Sequence, residues 1–422
     1  MFEQRRMRRK HVRRLCRVSR SGDLGIRDVL RIPEVRAAML GTFVIMLGYG
    51  ILSPVLPSYA RTFGVGYDSI GLLISAFSFA RLVADPFVGR YIDRYGERRM
   101  VVLGSVAVGL SSIASALAPT FGLLVLYRGV GGVGSALFFA ALLSFLLRTI
   151  PAERTGRVMS VFYAAFNLGF IAGGPLGGVI AHRFGLVSPL YIYGVACFLA
   201  AALFWYRIYD PERHRDEVRR GGLRRLPWGR PFVTVLVVNL TYLWMIGAVF
   251  QTLIPLFGPD EVGLTLGGVG LGLAIATATE LVALYPAGTA TDHRGRRAVL
   301  IPSLAGLGAI VAVLGFASAP VAFMVAMAAL GVASGFAGVP PAPMLSDLTP
   351  EELKGSGVAV FRFAGDLGFV LGPLVAGAAA DRVGFTGAFA ISAVPALLAL
   401  ALVLSIAETK PVLPKTGEAP GL

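Results

Sequence analysis

Twelve apolar runs, most of them long enough to cross roughly 30 Å of hydrocarbon as a helix, dominate this chain of 422 residues. They lie near 37–57, 69–88, 100–118, 121–147, 158–181, 188–206, 232–256, 267–290, 298–317, 320–345, 356–380 and 386–407. Charged residues make up only 15% of the sequence and hydrophobic ones 55%, whereas a soluble domain carries about 25% charged residues. The 53 glycines fit the same reading, because small residues let membrane helices approach closely. The expected fold class is an all-α membrane protein. Its two cysteines, Cys16 in a basic tail and Cys197 in an apolar run, suggest neither a disulfide framework nor a metal site.

A polar turn, Gly89-Arg90-Tyr91-Ile92-Asp93-Arg94-Tyr95-Gly96-Glu97-Arg98-Arg99, separates the second and third runs. A second copy, Gly288-Thr289-Ala290-Thr291-Asp292-His293-Arg294-Gly295-Arg296-Arg297, separates the eighth and ninth. The offset is constant: 288 − 89, 292 − 93 and 295 − 96 all equal 199. At the same offset Pro151, Gly156, Phe162, Leu168 and Gly169 map onto Pro350, Gly355, Phe361, Leu367 and Gly368, and Arg183 with Gly185 onto Arg382 with Gly384. An internal repeat of this length means two fused halves. Each copy follows an even number of spans, so the halves are parallel repeats about an axis along the membrane normal. That arrangement places a substrate site between them near the bilayer midplane. The expected organisation is a basic tail (1–36), a six-helix bundle (37–206), a linker (207–231), a second bundle (232–407) and a short tail (408–422).

The net charge of +15 is concentrated in the first tail and the linker, beside the spans. There it reads as an orientation signal and a partner for anionic lipid head groups rather than for nucleic acid. Arginines crowd the loops after the second, fourth, sixth and eighth spans, while the opposite loops are nearly free of them. The positive-inside rule then puts both termini and the linker in the cytoplasm, in a cell (inner or plasma) membrane. The segment from Asp347 to Lys354, more acidic than basic, runs against the pattern. The first apolar run is too long for the core of a cleavable signal peptide.

The turn Gly89-xxx-Asp93-Arg94-x-Gly96-x-Arg98-Arg99 resembles the cytoplasmic loop motif of the major facilitator superfamily, and Gly288, Asp292, Gly295, Arg296 and Arg297 resemble its second-half copy. Arg128-Gly129 with Gly132 and Gly134 looks like the family's span-four motif. Gly169, Gly173, Pro175, Gly177 and Gly178 look like the span-five motif of antiporters, with the proline one position later than usual. Leu47 to Pro57 is similar to a motif of the twelve-span drug:proton antiporter branch. The resemblance implies the twelve-helix fold and a gating role for Asp93, which would bond the N–H groups at the start of span eleven, near Gly355, and hold the cytoplasmic side closed.

A charge at mid-bilayer costs roughly 2.5–3.5 kcal/mol, so Arg81, Arg128, Glu280, Arg362 and Asp366 each need a partner or a task, with Asp85 nearer the cytoplasmic end. The resemblance implies that span two packs on span eleven and span five on span eight. Arg81 and Asp85 should then face Arg362 and Asp366, the last two also able to pair one helical turn apart. Glu280, at the repeat position of Arg81, should face the neutral Tyr163 and Asn167. A buried carboxyl with no permanent cation is suited to loading and unloading a proton. Arg128 is a second coupling candidate, a fixed positive charge able to attract an anionic substrate or act on a nearby carboxylate, and Asp366 a third. Tyr49, Phe138, Phe166, Asn167, Tyr242 and Gln251 are candidates to line the cavity, as are Phe139, Asn239 and Trp244.

Gly129-x-Gly131-x-x-Gly134 matches a dinucleotide fingerprint but lies inside a span with no preceding strand. No phosphate-binding loop of the nucleotide-hydrolysing kind is present. The expected function is secondary transport by alternating access, without cofactors, driven by the proton gradient. Export of hydrophobic or amphipathic small molecules in exchange for protons is the main expectation, with the protein acting as a monomer in the lipid bilayer. The alternative is uptake of a small metabolite by proton symport or facilitation. A non-transporting receptor has little use for so many buried charges.

Overall fold

The computed structural model describes residues 32–149, 155–209 and 223–409. Most of the basic tail with Cys16, the middle of the linker, and Pro151 and Arg154 lie outside them. Among the described residues the secondary structure is helical throughout. The long helices are α1 (Pro33–Leu52), α2 (Tyr67–Tyr95), α3 (Glu97–Ala116), α4 (Phe121–Thr149), α5 (Thr155–Phe184), α6 (Ser188–Arg207), α7 (Arg230–Asp260), α8 (Leu266–Arg294), α9 (Arg296–Leu314) and α10 (Pro320–Leu348). Lys354–Leu404 is one continuous stretch broken at Gly384, whose φ of 71° and ψ of 176° are not helical. It supplies α11 (354–383) and α12 (385–404), completing twelve spans.

The turns carry the repeat. Among the described residues the positive-φ positions are Gly64, Gly96, Gly185, Gly263, Gly295 and Gly384. They form three pairs at the offset of 199: 64 with 263, 96 with 295, 185 with 384. At Gly96 and Gly295 (φ 92° and 100°, ψ 156° and 162°) the chain passes through a region open essentially to glycine alone. This lets α2 stop and α3 start with only this glycine between them, and α8 and α9 likewise. The first span ends at Leu52 rather than reaching 57. Pro54 and Pro57 lack an N–H, and the chain instead forms a short second helix, Leu56–Arg61.

α1–α6 and α7–α12 form two bundles, joined along two seams, α2 against α11 and α5 against α8. Both seams close through small residues. A Cβ at Gly71 would fall on the backbone of Pro373, and one at Gly377 on Tyr67. A Cβ at Gly174 would meet Gly270, and one at Gly178 the backbone of Leu266 and Gly267. These are repeat-equivalent contacts, since 71, 174 and 178 plus 199 give 270, 373 and 377. All lie toward the end opposite the two polar turns, hereafter the far end. Toward the loop end the positions of Gly89, Gly288 and Gly355 face open space. Large apolar side chains such as Phe184, Val282, Tyr285 and Val321 stand exposed around the bundle, as expected where lipid is the solvent. The chain is a multi-pass membrane protein.

Gly178→Val should overpack the α5–α8 seam and cost about 1–3 kcal/mol, read as a lower melting temperature in detergent. Gly89→Ala and Gly288→Ala, in open space, should leave that temperature unchanged or slightly raised. Equal melting temperatures for all three variants would show that the seam is not a tight contact.

Candidate functional site

The middle of the α2–α11 seam holds two ion pairs. Arg81 donates to Asp366 Oδ1 at 2.7 Å, and Arg362 to Asp85 Oδ2 at 3.5 Å. The Arg81 guanidinium also lies 5.6 Å from the Phe369 ring. Asp366 and Arg362 sit on one face of α11, yet each takes its partner from α2 instead of pairing within the helix. Both ion pairs therefore cross the interface between halves. Arg81 is 14 residues from each end of α2 (81 − 67 and 95 − 81), so its charge lies about 20 Å along the helix from either end, where an unpaired ion is most costly.

Glu280, at the repeat position of Arg81, has a different environment. Its Oε1 accepts a hydrogen bond of 2.6 Å from the Tyr242 hydroxyl of α7. Among the described residues no salt bridge reaches it. The expected neighbour Asn167 donates instead to the Tyr163 carbonyl of its own helix. Gly335 and Gly338 of α10 make room for this arrangement: a Cβ at Gly335 would press on the Glu280 backbone, and one at Gly338 on the Tyr242 ring.

A pocket between the halves is lined by Tyr49, Ser53, Phe77, Ser78, Arg128, Gln251 and Phe369 among others. Arg128 is 3% exposed, and its guanidinium lies 4.7 Å from the Phe77 ring centre. Ser53 donates to Gln251 Oε1 at 3.2 Å, joining α7 to the chain just after α1. Gln251 stands in a π-helical segment of α7, Ile246–Leu253, a geometry rare in helices and frequent at functional sites. Of the residues expected to line the cavity, Tyr49 and Gln251 line this pocket. Phe138 does not: it is buried within its own half and stacks on Phe204 of α6, 5.9 Å between ring centres. Gly104 lets α3 approach the Phe138 backbone of α4 closely. Phe166 packs edge-on against Phe139, and Asn239 bonds the Phe361 carbonyl across the α7–α11 contact.

The loop motifs build a charge-reversed pair of clamps. Glu97, whose side chain is 1% exposed, pairs with Arg148 at 2.9 Å. At the repeat positions, Arg296 pairs with Asp347 at 3.0 Å. The charges are exchanged and the geometry is kept, which accounts for the acidic residue in a loop expected to be basic. Asp93 takes Arg148 at 3.4 Å within its own half, and among the described residues it makes no bond to α11. Arg98 covers the Trp205 ring at 4.3 Å, and Arg94 that of Tyr95 at 5.3 Å. Asp292 lies 4.0 Å from Arg296, Arg297 donates to the last carbonyls of α12, those of Val403 and Leu404, and Arg99 is exposed. Glu408 accepts from the Arg296 and Arg297 backbone N–H groups at the start of α9.

At the far end Arg61 donates to both carboxylate oxygens of Asp260, at 2.6 and 2.8 Å. These two residues are themselves repeat-equivalent (260 − 61 = 199), so opposite charges meet across the pseudo-two-fold axis. Tyr67 adds a 2.6 Å hydrogen bond to Asp260, and Asp381 accepts from the Tyr67 and Asp68 backbone N–H groups at the start of α2. The Asp260 hydrogen bond raises the Arg61 pKa above its ordinary value, so this cation persists at any working pH.

A model of the Major Facilitator Superfamily matches residues 38–279 and again 259–421. The chain belongs to that superfamily. It is 25% identical over 363 residues to an uncharacterised MFS-type transporter of Methanocaldococcus jannaschii, covering 84% of this chain and 92% of the relative. It is 27% identical over 227 residues to the quinolone resistance protein NorA of Staphylococcus aureus, covering 52% of this chain and 57% of NorA. Among solved structures, a bacterial homologue of the human lysosomal transporter Spinster, inward-facing and unoccupied, superposes with a TM-score of 0.71 at 14% identity, over 91% of this chain and 96% of that one. The nucleoside transporter NupG superposes with a TM-score of 0.76 at 13% identity, over 88% and 99%. The protein is a major facilitator transporter and not an enzyme.

In this superfamily member the span-five glycines serve two neighbours. Gly169, Gly173 and Gly177 seat α1, where a Cβ would meet the carbonyls of Phe43, Leu47 and Ile51. Gly174 and Gly178 face α8, and Pro175 lies within the helix between them. Sequence reasoning missed Glu97 as a clamp and Asp260 and Asp381 as far-end partners. The signal for two of the clamps was present, as opposite charges at positions 199 apart.

Arg61→Asp should set two acids against each other at the far end and shift the balance toward the state open there. Loss of one exposed pair, about 0.5–1 kcal/mol, corresponds to a two- to fivefold change. The double variant Arg61→Asp with Asp260→Arg should restore the balance. Labelling of a cysteine placed at Thr62 reads the effect, and a double variant as open as the single one would exclude the latch.

Proposed function

We propose that this transporter exports hydrophobic or amphipathic small molecules in exchange for protons, with Glu280 as the proton carrier. The observation that carries the reading is the contrast between equivalent positions. Arg81 is locked in an ion pair across the halves, whereas Glu280 is held by a neutral hydroxyl. Tyr242 can donate to the ionised carboxylate or, by turning its hydroxyl, accept from the protonated acid. Gain or loss of a proton therefore requires no salt bridge to break. Similarity to NorA, a quinolone resistance protein, supports export. The nucleoside transporter and the Spinster homologue share the fold and do not discriminate between substrates.

In this reading the loop end is cytoplasmic, in the inner or plasma membrane, and the structure is the inward-open state of a monomer. The far-end latch and the glycine seams hold the outer side closed. On the outward swing the cytoplasmic ends converge, and Asp93 becomes able to reach the start of α11. Substrate enters from the cytoplasm or inner leaflet, and a proton from the outside returns on Glu280. No cofactor takes part.

In vesicles containing the purified protein, an imposed pH gradient should drive amphipathic dye movement, and dye should in turn release protons. Glu280→Gln should reduce substrate-triggered proton flux to the level of empty vesicles while leaving the melting temperature close to that of the parent. Proton flux that survives Glu280→Gln would remove Glu280 as the carrier, and absence of coupled flux with cationic, neutral and anionic dyes alike would overturn the export reading.

A further inference from the structure

Arg128 differs from the arginines of the α2–α11 seam. Arg81 and Arg362 have carboxylates at 2.7 and 3.5 Å. Among the described residues Arg128 has none, and its Nε has no hydrogen-bond partner. It is 3% exposed and lies seven residues inside α4 (128 − 121), about 10 Å along the helix from its far end. A permanent cation held there without a counter-ion is unfavourable unless an anion visits it. The Phe77 ring beneath it stabilises the cation and leaves the guanidinium edge available.

The rest of the pocket is built in the same sense. Ser78 is 1% exposed and its hydroxyl has no partner. Gln251 uses its Oε1 to accept from Ser53, which leaves its Nε2 as a donor. Among the described residues no carboxylate lines the pocket, and Leu52, Ile74 and Phe369 supply apolar walls. Donors from α2, α4 and α7 thus surround one small apolar space that belongs to both halves. We propose that this pocket is the anion subsite of the transport cavity, receiving the carboxylate of an amphipathic organic acid on Arg128, Ser78 and Gln251 while its apolar body rests on the walls. The assignment rests on the export reading for its role in transport, but binding itself does not depend on proton coupling. A guanidinium and a carboxylate form paired, charge-assisted hydrogen bonds. An uptake mode would use the same contacts.

The test is thermal unfolding of the purified full chain at fixed pH with 2-naphthylacetate, its methyl ester, a naphthylethyl trimethylammonium, and decanoate. Naphthylacetate should raise the melting temperature, and the ester and the ammonium should not. Arg128→Met should abolish that shift and raise the melting temperature of the ligand-free protein, because an uncompensated buried charge is removed. Arg128→Lys should retain part of the shift. A rise with decanoate alone supports the same site with lipid-derived acids as its source. The proposal is overturned if neither acid shifts wild type, if the ester shifts it equally, or if Arg128→Met keeps the shift. A lowered melting temperature of Arg128→Met with the shift intact would make Arg128 structural. Since no gradient is imposed, loss of coupled flux with binding intact would remove the export reading alone.

Discussion

An ion taken into hydrocarbon is costly unless something meets its charge, and that cost organises this transporter. The pairs Arg81–Asp366 and Arg362–Asp85 lie on the seam between the halves, so the interface that must rearrange is also the one that holds the ions. Glu280 meets the same requirement by another means, as a group able to become neutral. Glu280 of α8, held by Tyr242 of α7, is thus without an ion pair among the described residues, whereas Arg81, Asp85, Arg362 and Asp366 on the α2–α11 seam are all paired.

Duplication creates a physical problem that the structure visibly solves. Equivalent residues of two parallel halves face each other near the axis, and identical charges there would repel. At positions 61 and 260 the repeat has arginine and aspartate, which bond. At 97 with 148 and 296 with 347 the same clamp is kept with its signs exchanged. At 81 and 280 the sign is again opposite, with arginine fixed and glutamate titratable. Divergence after duplication has gone into the sign of charge more than into geometry, since the turn glycines keep both position and backbone conformation.

Much of this was legible in the chain. Apolar length set the spans, the offset of 199 set the halves, and both seams with the Arg81 and Asp366 contact followed from the resemblance. The partner of Glu280 was not legible, because Tyr242 comes from α7 of the same half and repeat arithmetic concerns only equivalent positions. Phe138 was misplaced because an aromatic residue in a span has the same sequence character whether it faces a cavity or a neighbouring helix. The pairing of Glu97 escaped because the motif draws attention to its arginines, while Arg148 appeared only as a marker of orientation. Gln251 was anticipated as a polar residue in a span, but its aim depends on the π-helical segment, which no local propensity announces.

Beneath the Arg61–Asp260 latch, the glycine seams at the far end close backbone against backbone, Gly178 on Gly267 and Gly377 on Tyr67. Side-chain rotation has no purchase on such a contact: there is nothing to swing aside. Separation there demands that one bundle tilt against the other as a unit. A lever of this kind has few intermediate positions, because losing any part of the contact loses helix packing along the whole seam. In the proposed mechanism, a protonation event at a single carboxyl would bias a movement of about two hundred residues per half without itself distorting any of them.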